Sequence, residues 1–317
     1  MTTTPYRGAM VMQLVGTHDG LVELGPDGTA LVTHLEGRGI DAIAVDTTGC
    51  WALVDGAEVG HAASDRTDWQ QRAQAPADTR LTCLLPGPHG LLVGTSGAHL
   101  LRPDEHGRPR PIDAFDDLAG RAEWYTPWGG PPDTRSLAAG ADGTVYAGVH
   151  VGGIVSSGDG GRSWHQTSLD IHADVHQVVT VADHPDLVLA ACAEGLAVSD
   201  DQGGHWRIDD HGLHATYARA VAVVGDTVVL SASTGPDGRR SALYRRPVTG
   251  DGPFERCRNG LPEWFDDNID TGCLAAHQDT VAAAEPGGGI WRSDDRGATW
   301  TRSFTARALV HSLALAF

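Results

Sequence analysis

Short runs that alternate apolar and polar positions recur along this chain about every 40–50 residues, the period of a propeller or solenoid unit. Seven such runs begin at Ala42, Leu81, Ser136, Gln177, Ala220, Gly272 and Ser312. A second apolar run follows, as at residues 144–148 and 187–191, then a Gly-containing turn, a third strand and a fourth. The last unit has one strand before the chain stops. Residues 10–15, 21–24 and 30–34 read as the three strands it lacks. The pattern therefore predicts an all-β, seven-bladed propeller of four-stranded antiparallel blades. The N-terminal strands close the ring on the C-terminal strand and remove exposed sheet edges. Six blades is the alternative count. The whole of 1–317 reads as one propeller domain, with no linker.

One turn motif repeats three times: Ser157-Gly-Asp159-Gly-Gly161-Arg-Ser163-Trp164, Ser199-Asp-Asp201-Gln-Gly203-Gly-His205-Trp206 and Ser293-Asp-Asp295-Arg-Gly297-Ala-Thr299-Trp300. The Asp accepts from turn N–H groups, the Gly takes a positive φ, and the Trp packs between sheets. Its role is to lock the third strand of a blade to the fourth. The pattern resembles the Asp-box, or bacterial neuraminidase (BNR) repeat, of β-propellers. Altered copies stand at residues 64–69, 103–107 and 252–254.

Net charge is −18, from 23 basic and 41 acidic residues. Nucleic acid and anionic membrane surfaces are therefore poor partners. The N-terminal residues show no charged-then-apolar leader, and no apolar run approaches the roughly 20 residues of a membrane span. The 5 cysteines are odd in number and widely spaced. They suit buried thiols in a reducing cytoplasm better than disulfides.

In a propeller the first strand of each blade lines the axis. Loops leading into it share one face with the turns between second and third strands; the box turns lie on the other face. The residues just before the seven first strands are Asp41, Arg80, Arg135, His176, Arg219, Thr271 and His311. Either these are ordinary polar junctions, or Arg80, Arg135 and Arg219 converge as forked donors for a carboxylate or phosphate, with Asp41 and His311 beside them.

The box motif also resembles that of sialidases. That resemblance implies three arginines on the substrate carboxylate, a Tyr nucleophile paired with a Glu, and an Asp acid/base. Sialidase propellers have six blades, and Tyr6-Arg7-Gly8 does not match the family's early Arg-Ile-Pro motif. Tyr217 and Tyr125 are the tyrosines available for the nucleophile's part. The chain is similar, too, to seven-bladed photosystem II assembly-factor propellers, which implies protein partners without catalysis.

The segment from Asp170 to His176 places His172, Asp174 and His176 on one side of an extended chain, near His150 in a turn of the preceding blade. Imidazoles with a carboxylate suit a divalent first-row metal. Otherwise His176 or His214 serves as general acid or base, or as a hydrogen-bonded rim residue. Two long lead-in loops add Trp124, Tyr125 and Trp128 in one and Trp264 in the other. They make a stacking wall for a sugar ring, or anchors for the loops. Second-to-third-strand turns contribute Glu194, Glu285, Arg239 and Arg240.

Three readings follow. The first is a cytoplasmic hydrolase or lyase, glycosidase-like, acting on a small anionic or carbohydrate-like substrate, with His176, His214, Glu194, Glu285 and Tyr217 as candidate catalytic groups. The second is a ligand- or protein-binding propeller without chemistry. The third is a metal-binding propeller.

Overall fold

The computed structural model describes residues 11–167 and 173–316. Those residues form seven four-stranded antiparallel sheets arranged as propeller blades. The innermost strands of blades one to six are Ile40–Asp46, Leu81–Leu85, Thr134–Ala139, Val175–Thr180, Tyr217–Val224 and Leu274–His277. Blade seven joins Val310–Ala316 to Met12–Thr17, Gly20–Leu24 and Ala30–His34. Met12 pairs with Ala316 and Val15 with Leu313, so the ring closes as the pattern predicts. The six-bladed alternative is excluded.

Alternation explains the core. Within a blade, Val145, Ala147, Val149 and Val155 face one neighbour, while Tyr146 and Ile154 face the next. Each sheet thus buries both faces, which is why the middle strands read as nearly continuous apolar runs. Fully buried side chains such as Leu14, Leu21, Ile40, Leu189 and Leu196 fill the space between blades.

The three Ser-x-Asp-x-Gly-x-x-Trp turns have one geometry. Oδ1 of Asp159 accepts from the N–H groups of Arg162 and Ser163 at 2.9 Å, and the Gly161 N–H donates to Ser157 Oγ at 2.8 Å. Asp201 and Asp295 accept likewise from His205 and Thr299. Gly161, Gly203 and Gly297 sit at φ 88°, 90° and 80°, where a Cβ is disfavoured. Trp164, Trp206 and Trp300 are buried behind them.

The altered copy in blade one uses the same turn differently. Counting back from Trp69, the glycine position is Arg66, and it keeps the positive φ, at 55°. Its side chain reaches Glu23 of blade seven, with Nη2 to Oε1 at 2.6 Å, and both groups are buried. A turn that has lost its glycine has gained a charged tie between blades.

The feature that shapes the axis is a β-bulge. In six of the seven innermost strands the ladder skips one position, or in blade five two, near its start. The skipped residues are Asp41, Thr82, Arg135, His176, Arg219 with Ala220, and His311. A bulge kinks the strand and re-aims the extra residue. By that alignment Thr82, not Arg80, is the blade-two counterpart of Arg135; Arg80 stands two residues earlier.

Candidate functional site

Around the axis, on the face bearing the lead-in loops, lies a cavity of about 490 Å³. Asp41, Arg80, Arg135, Thr271 and His311 line it, with Asp133, Asp267 and Asp270. His176 and Arg219 border it through the backbone: the Thr271 hydroxyl is 3.2 Å from the His176 carbonyl and 3.1 Å from that of Arg219. Bulges take both residues out of their ladders, which frees these carbonyls for another donor.

The charges are not equivalent. Arg80 donates to Asp41 at 2.8 Å, and Asp41 also accepts from the Gly56 N–H at 2.7 Å. Arg219 donates to Asp270 at 2.6 Å. Burial alone would lower the Arg219 pKa, but Asp270 outweighs it and holds the guanidinium charged. Arg135 is different. Its Nη1 is buried and has no hydrogen-bond partner among the described residues. Burial, then the neighbouring Arg219 charge, pushes its pKa below the usual arginine value. Two of the three arginines are thus paired with carboxylates, though Arg219 keeps a buried Nε without a hydrogen-bond partner among the described residues. Arg135, which has no ion pair among them, keeps a buried Nη1 for a ligand.

Beside Arg135 the polar groups continue into a row of rings. Trp128 lies 5.2 Å from His150, His150 5.7 Å from His176, and His176 4.9 Å from Tyr217, centroid to centroid. The Arg219 guanidinium sits 5.5 Å from the Tyr217 ring. Nε2 of His150 and Nε2 of His176 approach the same Asp174 oxygen at 3.0 and 3.2 Å. Burial lowers the His150 pKa. It would raise the Asp174 carboxyl, but the two imidazoles outweigh it and hold that group well below the usual range. His172 lies outside the described residues.

The other expected site residues are elsewhere. Trp124 packs in the core against Phe115 and under Arg121, because its loop needs an anchor between blades two and three. Tyr125 and Trp128 of the same loop are 66% and 64% exposed. His214 accepts or donates at Tyr244 Oη, 2.6 Å away, and faces Trp264; it does not join His176. Arg240 lies over Trp264 and Arg239 is exposed, so the wide blade-five turn holds its arginines away from the cavity. Glu194 is exposed at a turn tip. Glu285 is partly buried near Asp266; burial and that charge raise its pKa. Aspartates 133, 267 and 270 line the cavity without having been singled out in the sequence. They sit in loops with no periodicity to flag them.

No protein family matches the chain, and no curated protein matches it. Solved structures do. An ancestral GH74 enzyme superposes with a TM-score of 0.59 at 14% identity, over 97% of this chain and 40% of that one. The GH74 enzyme of Niastella koreensis gives 0.60 at 12% identity, over 92% and 47%. YCF48 bound to D1 peptide gives 0.56 at 14% identity, over 86% and 84%. The chain spans less than half the length of the two GH74 enzymes it matches. At these identities the likeness is one of fold: the chain is a seven-bladed β-propeller, similar in architecture to the GH74 enzymes and to YCF48.

Proposed function

We propose that the axis cavity binds a small anionic or carbohydrate-like molecule, and that the chain is a hydrolase or lyase acting on it. The observation that carries this reading is the buried, unpartnered Nη1 of Arg135 at the cavity wall. A carboxylate or phosphate oxygen would supply its missing partner, and such charge-assisted bonds are about twice as strong as neutral ones. The surrounding aspartates, in excess over the arginines, favour a ligand that also offers hydroxyl or amine donors, as a sugar acid or amino sugar does. Tyr217, held between His176 and Arg219, is the group this reading assigns to exchange a proton with it. His176 is fully buried, with Nδ1 bound to the Ala218 carbonyl, and serves as a positioning residue in this scheme.

The three box-like turns support kinship with Asp-box propellers at large, and GH74 neighbours are consistent with glycosidase-like chemistry. All 5 cysteines are free and buried, with Cys83 pushed by burial to about 12, which suits a reducing cytoplasm. No described helix is long and apolar enough to cross a membrane.

A second reading has its own support. Tyr125, Trp128 and Leu309 are large exposed apolar side chains, and Leu309 lines the cavity. Such groups suit docking of a peptide or protein, as in the neighbour YCF48 bound to D1 peptide. Calorimetric titration with glucuronate, glucosamine and inorganic phosphate separates the two. The ligand reading expects saturable binding of at least one that is lost in Arg135→Gln; no binding of any would leave the docking reading.

A further inference from the structure

We propose that His150, Asp174 and His176 bind a first-row divalent metal ion, zinc in the first instance, at the edge of the axis cavity. The argument starts from a tautomer. Nδ1 of His176 lies 2.6 Å from the Ala218 carbonyl oxygen, and a carbonyl only accepts. Nδ1 therefore carries the hydrogen. In the neutral ring Nε2 then presents a lone pair, and it points at an Asp174 oxygen 3.2 Å away. A carboxylate oxygen has only lone pairs to offer. Two lone pairs at that distance repel unless a proton on Nε2 or a metal ion lies between them.

The same oxygen is 3.0 Å from Nε2 of His150, so two imidazoles and one carboxylate aim at one point. A metal ion satisfies all three at once. Bonds of about 2.0–2.2 Å place neighbouring ligand atoms about 3.0–3.5 Å apart in octahedral or tetrahedral geometry. Two of the three edges already have that length. The three ligand atoms lie within 4.8 Å of one another, and closing the edge between the imidazoles requires a shift of about 1 Å. The Nδ1–H to carbonyl bond of His176 is the outer support that metal-bound histidines use to fix tautomer and ring orientation.

Two histidines and a carboxylate leave positions open for solvent or ligand, as in catalytic rather than structural metal sites. Arg135 opposes a cation here through its charge, and Asp133 and Asp174 offset it. The same arginine would meet the far oxygen of an anion held on the metal. The ligand set comes from different blades: His150 from the turn after Val145–Val149, Asp174 and His176 from the start of Val175–Thr180. The isolated bridge between His150 and Asp174 fixes their backbones together. This inference does not depend on the anion reading.

The full chain, stripped with chelator and checked for fold by circular dichroism, is titrated with Zn²⁺ and with Co²⁺ alone. A single equivalent is expected, with visible cobalt absorption of a low-coordinate histidine–carboxylate site. Asp174→Asn and His150→Gln should each weaken zinc affinity by about 100-fold or more, the scale seen when metal shells are altered. Arg135→Gln should retain the metal while losing the anion, which separates this site from the anion pocket. A folded wild-type chain that takes up no zinc or cobalt would overturn the proposal and leave a protonated His–Asp–His cluster in its place. So would variants that bind as wild type. Should a variant misfold, the wild-type stoichiometry and cobalt spectrum decide.

Discussion

The hydroxyl of Thr271 lies 3.2 Å from the carbonyl oxygen of His176, 95 residues earlier in the chain. It lies equally near the Arg219 carbonyl, so one side chain of blade six ties blades four and five at the hub. The bond is possible because bulges release these carbonyls from their ladders.

Thr271→Val keeps the shape and removes the donor. Two carbonyls at the hub then lack it, and stability should fall by about 1–3 kcal/mol. Urea unfolding measures this; an unchanged midpoint would show that water serves the hub equally well.

The tryptophans divide by burial. Trp164 is behind its turn and Trp124 anchors its loop, so either replaced by Ala should cost about 3–5 kcal/mol. Trp128→Ala, on an exposed ring, should change stability by less than about 0.5 kcal/mol and instead weaken ligand binding. Comparable losses of stability at all three positions would contradict the placement of Trp128 as an exposed ring beside His150.

Glu23 supplies a pH dependence. Its hydrogen bond from Arg66 holds the carboxyl below the ordinary glutamate range, against the opposing effect of burial. A depressed carboxylate contributes stability that is complete above the unfolded-state value and is lost as pH falls through the folded value. Glu23→Gln should therefore lower stability by about 3–5 kcal/mol near neutral pH, by stranding buried Arg66. The gap between wild type and variant should narrow in acid. Denaturation curves across that range test it, and a gap independent of pH would refute the pairing.

The ring was legible because its physics is periodic. Alternation gave the seven first strands, and the odd strand at the C-terminus demanded partners at the N-terminus. The box turns were legible because glycine, aspartate and tryptophan each have one reason to be there. The axis was legible only in part. Asp41, Arg135, His176, Arg219 and His311 do sit at bulges, but a bulge leaves no mark in composition, and Arg80 was aligned two residues early. Partners were not legible at all. Nothing in the order of residues says that Asp270 will neutralise Arg219 while Arg135 keeps an unmatched nitrogen. Trp124 and Trp128 stand four residues apart in one polar loop, and packing against Phe115 is what buries the first.

The central claim is that Arg135 is the anchor of the axis cavity, and calorimetric titration of glucuronate into three proteins tests it most directly. Wild type should bind, Arg135→Gln should lose about 2 kcal/mol or more of binding free energy, and Arg80→Gln, whose guanidinium already belongs to Asp41, should lose much less. Equal losses at both positions, or binding unaffected by Arg135→Gln, would contradict the account.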